Sequence, residues 1–217
     1  MKRIKHWARD ILAPAAILLL FSAIGALLLS GTYQSTAPAI EQAERAIKNQ
    51  LLAQTLPPGS FDNDLSRALY PLPADPLLGL KRPANRYLAT RSGQVSGVIL
   101  EASAPDGYAG EIRLLIGILP DGRIGGVRVT AHHETPGLGD YIEVVRSPWI
   151  RQFDGTSLDR PDMTHWKIRK DGGPFDYVTG ATVTPRAIVK AVHGGLRYFA
   201  AHRAELLSAE LLSGEAP

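Results

Sequence analysis

The order of hydrophobic and polar positions divides the chain into an apolar segment, a proline-rich segment and a segment of mixed strand and helix patterns. Residues 11–30 contain no charged side chain and are dominated by Leu, Ile and Ala. At about 1.5 Å of rise per residue, a helix of this length spans roughly 30 Å, the thickness of a bilayer's hydrocarbon core. This segment therefore predicts one transmembrane helix.

Two other interpretations of the apolar segment are a cleaved signal peptide and a buried helix of a soluble protein. A signal peptide has an apolar region of only about 7–15 residues, followed by a small-x-small cleavage site. The weak cleavage-like stretch at residues 35–37 lies well beyond the end of the segment. The pattern therefore favours an uncleaved membrane anchor.

The two segments that follow the anchor differ in regularity. Residues 39–56 place apolar side chains at helical spacing between charged ones, which predicts a juxtamembrane helix. Residues 57–85 are rich in Pro, Asp, Asn and Leu, which predicts an irregular connection. Residues 31–85 are thus expected to join the membrane anchor to a separate domain.

Three strand-like runs follow, at residues 94–102, 111–119 and 123–130. The last two are separated by Pro-Asp-Gly, a strong hairpin signal, so the runs predict an antiparallel meander. Residues 137–145 suggest a short helix, and residues 164–170 alternate like a half-exposed strand.

A closing helix is predicted over residues 184–207, followed by a tail over residues 207–217. Thr184 is the expected N-cap and Pro185 the first helical residue, and an apolar stripe follows, formed by Ile188, Val192, Leu196 and Phe199. The order of elements predicts an α+β domain over residues 86–206, with an antiparallel sheet and a C-terminal helix.

Charge and cysteine usage narrow the possible functions. The chain has no cysteine, which excludes disulfides, thiolate zinc sites and cysteine-ligated iron–sulfur clusters. Residues 1–10 hold four basic residues and one acidic residue, and so account for the whole net charge of +3. The remainder offers no support for nucleic-acid binding. By the positive-inside rule, residues 1–10 form a cytoplasmic flank and the domain lies outside, in the periplasm of a Gram-negative cell.

Residues 176–182, here called the hydroxyl loop, directly precede the closing helix. Gly180 and Ala181 stand between the hydroxyls of Thr179 and Thr182 and allow a ligand to approach the backbone. The free N–H groups of a helix start favour an anion, phosphate above all. Arg186 and Lys190 follow as nearby cations. A plain capped turn before a helix is the alternative interpretation.

The hydroxyl loop resembles the flavinylation motif Asp-x-x-(Ser/Thr)-Gly-Ala-(Ser/Thr) of the FMN-binding domain family. In that family a flavin transferase joins FMN through its phosphate to the last hydroxyl of the motif, which is Thr182 in this sequence. The resemblance implies covalent FMN at Thr182 and makes Asp176 part of what the transferase recognises. Contacts to the cofactor are also expected from Thr179, Gly180 and Ala181.

A second stretch, residues 132–140, is here called the glycine loop. Gly137 and Gly139 flank Leu138, a pattern that predicts a tight turn able to lay one apolar side chain against a flat ring. Glu134 and Thr135 add polar contacts. The glycine loop resembles the His-x-Glu-Thr-Pro-Gly-Leu-Gly signature of the same family. Residues 149–153 resemble a second pattern, Trp-x-x-Gln-Phe, which is typical of the G subunits in this family.

Metal binding by His132, His133 and Glu134 is the rival interpretation of the glycine loop. Adjacent histidines on a strand point to opposite faces and do not readily reach one ion, so no metal site is predicted. His165, His193 and His202 are expected on exposed faces without a role, and Trp166 and Tyr177 are expected in the core rather than on the flavin.

The resemblance as a whole is to the G subunits of Rnf electron-transport complexes. It implies an electron relay between NADH and ferredoxin coupled to ion movement, with other membrane and iron–sulfur subunits as partners. The alternatives are the C subunit of a Na⁺-translocating NADH:quinone reductase, a flavin-bearing sensory domain and a flavin-free binding module. The short chain, without a large insertion before the glycine loop, favours the G subunit of an Rnf complex over the C subunit of the quinone reductase.

Overall fold

The computed structural model describes residues 2–208, without the side chains of residues 2–11, 13, 41, 44 and 45. Contacts divide it into two compact units, with the boundary between Ile47 and Lys48. The side chains of residues 2–10, which carry the charges of the predicted basic flank, and residues 209–217 of the predicted tail lie outside the described part of the chain.

The first unit consists of a single helix, α1, which runs from Lys2 to Ala53 and continues into the second unit. Its stretch Pro14–Ile40 is long and apolar enough to cross a membrane, and none of it is buried within the protein. The apolar segment and the juxtamembrane segment were predicted as separate helices, but they form one. Pro38 lies inside α1 without ending it.

The second unit contains a five-stranded antiparallel sheet in the order β1-β2-β3-β4-β5. The strands are β1 Leu69–Leu72, β2 Ala84–Arg91, β3 Gln94–Gly107, β4 Gly110–Ile118 and β5 Ile124–Ala131. The predicted meander is confirmed. The prediction of an irregular connection over residues 57–85 was wrong for β1, an edge strand in which Pro71 is tolerated because only one side is paired.

Both faces of the sheet are buried, because alternate residues of the central strands point to opposite sides. Leu100 and Ile116 belong to the larger core, which α2 (Val183–Leu206) shares from one face. Ile99 and Leu115 face the smaller core, which is closed by Leu52 near the end of α1. The sheet is therefore the central layer of the domain.

The predicted strand at residues 164–170 is wrong. Met163–His165 and Arg169–Asp171 are 3₁₀ helices, and only a single bridge joins Ile168 to Phe175. The side chain of Asp162 accepts hydrogen bonds from Thr164, which stabilises a turn rather than an extended chain. The predicted helix at residues 137–145 contains one 3₁₀ turn, Asp140–Ile142.

Helix α2 closes the domain as predicted but begins differently. Its N-cap is Thr182, so Thr184 and Pro185 are the second and third helical residues rather than the cap and the first. Gly194 lets the helix approach the backbone closely, since a Cβ there would lie 2.1 Å from the carbonyl oxygen of Leu77. This start of α2 positions the candidate site.

Candidate functional site

The hydroxyl loop forms a tight turn that leads into α2. The N–H of Ala181 donates to the carbonyl of Val178 at 3.0 Å. Gly180 lies at the tip with φ +92°, a conformation that disfavours any side chain. Thr179 and Gly180 are exposed, whereas Ala181 is buried. The turn thus presents its polar tip to solvent.

Thr182 is the half-buried residue at which this turn meets the helix. Its hydroxyl caps no N–H group within the described part of the chain. The N–H groups of Val183 and Thr184 precede the helical hydrogen-bond ladder, and Pro185 has none. A free hydroxyl therefore stands beside two backbone donors at the positive end of a helix dipole.

The glycine loop is closed by its own backbone. The N–H of Gly139 donates to the carbonyl of Thr135 at 2.8 Å, and Gly137 N–H donates to the Asp140 carboxylate at 2.9 Å. Leu138 is 43% exposed, and its Cδ1 lies 3.9 Å from where a Cβ on Gly180 would be. The glycine loop and the hydroxyl loop therefore meet at Leu138.

Glu134 connects the glycine loop to the start of α2. The residue is 4% exposed, and its carboxylate accepts hydrogen bonds from the Thr184 hydroxyl at 2.6 Å and the Ala109 N–H at 3.1 Å. Gly139 packs against Glu134, since a Cβ on Gly139 would lie 2.9 Å from the Oε2 of Glu134. Glu134 is thus committed to holding protein groups rather than exposed to a ligand.

Tyr141, the residue that directly follows the glycine loop, makes a second connection to the hydroxyl loop. Its hydroxyl donates to the carbonyl of Ala181 at 3.3 Å. Burial, together with the nearby negative charge of Glu134, raises the pKa of Tyr141 to about 12. The phenol therefore stays protonated and keeps donating throughout the physiological pH range.

The two histidines of the glycine loop have different surroundings. His132 accepts from the Glu134 N–H through Nδ1 at 3.0 Å, and its Nε2 lies 2.8 Å from the Glu143 carboxylate. The first bond requires an unprotonated Nδ1, so the proton is on Nε2. His133 is exposed. Within the described residues no group of three metal-ligating side chains is found.

The two cations predicted near a phosphate are each paired with a carboxylate. Arg186 holds Asp171 through two hydrogen bonds of 2.6 and 2.7 Å, and Lys190 pairs with Asp106. Their positive charge is therefore partly compensated. Near the hydroxyl loop, the backbone N–H groups at the start of α2 are available to bind an anion.

Comparison with known proteins matches both units of the chain. Residues 107–197 match the family described as FMN-binding domain, and residues 1–55 match the RnfG N-terminal region. A protein of Pseudomonas aeruginosa, named as the G subunit of an ion-translocating oxidoreductase complex, is 50% identical over 206 residues, covering 95% of this chain and 96% of the relative. Proteins of the same name from Vibrio cholerae and Shewanella baltica are 44% and 42% identical, over 88% and 90% of this chain and 90% and 92% of the relatives. The chain belongs to this family of G subunits.

The match to the FMN-binding domain covers both loops of this family member. The hydroxyl loop, Leu138 and the start of α2 lie together in the structure. Glu134 and Thr135 lie within the same loop, but Glu134 is buried and only Thr135 is exposed.

The sequence analysis missed two residues that hold Asp176. The Trp149 Nε1–H donates to the Asp176 carbonyl at 2.8 Å, and the Asp176 N–H donates to the Gln152 side-chain oxygen at 2.7 Å. Both side chains belong to the 3₁₀ helix Pro148–Phe153. Both residues belong to the Trp-x-x-Gln-Phe stretch that resembles the family pattern, but the sequence analysis predicted no role for either of them.

The histidines of α2 are less exposed than predicted. His193 stacks on Trp166, with ring centroids 5.2 Å apart and planes at 8°, and His202 stacks on Tyr198. Both histidines are half-buried, because the helix carries them toward aromatic neighbours at the edge of the core. Trp166 is buried, as expected, and Tyr177 is half-buried against the core.

Proposed function

We propose that this chain is an electron-relay subunit that carries FMN in a phosphoester linkage to Thr182. Its complex translocates ions and connects NADH with ferredoxin. The observation that carries the proposal is the hydroxyl of Thr182 at the start of α2, which caps no described N–H group and is therefore free to react. It lies in a segment that matches the FMN-binding domain.

The residues around Thr182 are suited to a flavin phosphate. The N–H groups of Val183 and Thr184 supply donors for the phosphate oxygens. Gly180 and the exposed Thr179 leave room at the tip of the turn. Leu138, partly exposed beside Gly180, offers an apolar surface for a flat aromatic ring. Thr135, Gly137, Gly139 and Ala181 shape the two loops that hold these groups.

FMN exchanges one or two electrons, and therefore connects carriers of either kind. The protein's own contribution is to fix the position of the attachment hydroxyl and to shield part of the site. Glu134 and Tyr141 serve the first purpose, because both tie the glycine loop to the residues around Thr182. A chain without cysteine holds no cysteine-ligated iron–sulfur cluster. Any such cluster that exchanges electrons with this FMN therefore belongs to another subunit.

The proposed location follows from α1. The stretch Pro14–Ile40 spans the inner membrane in this proposal, with the basic residues 1–10 in the cytoplasm and the FMN domain in the periplasm. Partners are the other membrane and iron–sulfur subunits, and a flavin transferase acts during maturation. The relatives, named as G subunits of an ion-translocating oxidoreductase complex, support this assignment.

The functional test is electron transfer in membranes whose complex contains a Thr182→Ala chain. Removing the hydroxyl removes the attachment point, so we expect NADH-driven reduction of ferredoxin to fall to the level of membranes lacking the complex. Thr130→Ala removes an exposed hydroxyl on β5, outside both loops, and serves as the control. Immunoblots of the isolated complex show whether each variant assembles. Wild-type rates with a fully assembled Thr182→Ala complex would contradict the proposed relay.

A further inference from the structure

The backbone of Asp176 is held on both sides by one structural element. Its carbonyl accepts from Trp149 Nε1–H at 2.8 Å, and its N–H donates to Gln152 Oε1 at 2.7 Å. Side chains that satisfy both backbone polar groups of one residue replace the partners a strand would supply. The start of the hydroxyl loop is therefore fixed in space without regular secondary structure.

Trp149 is itself held rigidly. It is 9% exposed and packs edge-on against Tyr141 and Phe153, with ring centroids 5.3 and 5.7 Å away. The 3₁₀ helix that carries it is capped by Ser147, whose hydroxyl accepts from the Trp149 N–H at 3.1 Å. The indole N–H therefore points at Asp176 from a fixed position.

Gln152 contributes one specific contact. Its oxygen accepts from Asp176, whereas its buried Nε2 has no hydrogen-bond partner among residues 2–208. An amide with one end unpartnered is costly to bury. The hydrogen bond to Asp176 therefore accounts for the orientation of the Gln152 side chain.

With its backbone fixed, Asp176 presents its side chain outward. Asp176 lines an open cleft of about 530 Å³, and its carboxylate forms a 3.0 Å ion pair with Arg169. The other end of the loop is fixed by Thr184 and Tyr141, which bond to Glu134 and to the Ala181 carbonyl. Asp176 and Thr182 thus have a defined separation and orientation before any enzyme binds.

We propose that Trp149 and Gln152 are positioning residues for covalent flavin attachment, holding Asp176 in the orientation that the transferase requires. This inference rests on the proposed function, namely FMN attachment at Thr182. In the attachment step the Thr182 oxygen forms a bond to the phosphorus of FMN in a phosphoanhydride donor such as FAD. The anhydride P–O bond breaks, AMP leaves, the hydroxyl proton passes to the transferase, and nothing is oxidised or reduced.

Loss of either contact would allow the recognition residue to move relative to the acceptor hydroxyl. Each docking event would then have to order the loop, which lowers the rate of a reaction that depends on orientation. We expect a fall of about 3- to 10-fold in kcat/KM for flavin attachment from each lost hydrogen bond.

The test compares Trp149→Phe and Gln152→Met with the matched control Trp166→Phe. The first change removes an indole donor but keeps an aromatic ring, and the second keeps side-chain length but removes the acceptor oxygen. Trp166 is as deeply buried in the same core, and its Nε1–H donates to Pro161 rather than to the hydroxyl loop. Full-length proteins in detergent are incubated with purified flavin transferase and FAD, and flavin fluorescence of the denatured band is followed over time. Near-UV circular dichroism checks the fold of each variant.

Slow attachment in Trp149→Phe and Gln152→Met, with Trp166→Phe within about twofold of wild type, is the expected result. Rates in both variants equal to that of Trp166→Phe overturn the positioning role while leaving attachment at Thr182 intact. A wild-type chain that takes up no flavin overturns the proposed function and this inference together. If Trp149→Phe does not fold, Gln152→Met, at a half-buried surface position, decides alone.

Discussion

At the scale of single residues, the buried carboxylate of Glu134 is the main connection between the glycine loop and α2. It accepts from the Thr184 hydroxyl and the Ala109 N–H, with 4% of the residue exposed. A buried carboxylate is tolerated only when its oxygens are hydrogen-bonded. The geometry around Thr182 thus depends on a residue that need not touch the cofactor.

Removing the Thr184 hydroxyl tests this connection. Thr184→Val preserves shape but leaves one Glu134 oxygen buried without its donor, so the free energy of unfolding is expected to fall by about 1–3 kcal/mol. Thr182→Val is the matched control, because its hydroxyl caps no described N–H group; we expect a change of at most about 0.5 kcal/mol. Urea unfolding followed by tryptophan fluorescence measures both. Equal stability of the two variants would show that the Glu134–Thr184 contact contributes nothing.

At the scale of elements, the central strands and α2 were predictable because their apolar periodicity matches their burial. Ile99 and Leu100 face opposite cores, a direct result of strand alternation. The strand predicted at residues 164–170 failed for a related reason. Trp166 and Ile168 are both buried, but they lie in the short connection between two 3₁₀ helices, so the alternation reflected burial and not a regular strand.

Other features were not predictable because they depend on contacts between distant segments. Strand β1 is four residues long, contains Pro71 and exists only by pairing with β2. The bonds from Trp149 and Gln152 to Asp176 join residues 27 and 24 positions apart. Local patterns carry no information about such partners. The hydroxyl loop could be recognised, but the element that holds it could not.

The packing of α2 against Trp166 makes stability depend on pH. Burial, and secondarily the positive charge of Arg197, lower the pKa of His193 below its ordinary 6.5 in the folded protein. The unfolded chain therefore binds a proton at a pH where the folded chain does not. This contribution to stability is present above pH 6.5 and is lost as pH falls through the lower folded pKa.

Replacing His193 by Phe keeps the ring stacked on Trp166 but removes the proton-binding site. We expect the melting temperature of wild type to fall more steeply than that of His193→Phe between about pH 7.5 and about pH 5, a range that brackets the titration. His133→Gln, at an exposed position, is the control and should follow wild type. Parallel curves for wild type and His193→Phe would contradict the linkage.

At the scale of the whole molecule, the chain combines an exposed apolar helix with a domain that has its own two cores. The apolar stretch Pro14–Ile40 has no buried residues to stabilise it in water, whereas the domain from Lys48 onward is closed on both faces of its sheet. This division predicts a domain that stays on one side of the membrane.

The orientation across the membrane can be measured with reporter fusions at the C-terminus. Alkaline phosphatase, active only in the periplasm, should be active, and a cytoplasmically folding fluorescent protein should be dark, because the proposed topology keeps the basic flank in the cytoplasm. Replacing Lys2, Arg3, Lys5 and Arg9 by Glu should reduce phosphatase activity by inverting part of the population. A fluorescent wild-type fusion with inactive phosphatase would contradict the proposed periplasmic location.

The most direct test of the central claim is flavin fluorescence of the denatured chain on a gel. Wild type, Thr182→Ala and the control Thr130→Ala, which changes an exposed residue outside both loops, are each co-expressed with a flavin transferase whose activity is shown on a separate acceptor. Covalent FMN at Thr182 predicts fluorescent bands for wild type and Thr130→Ala and a dark band for Thr182→Ala. A dark wild-type band, or a Thr182→Ala band as bright as wild type, would contradict it.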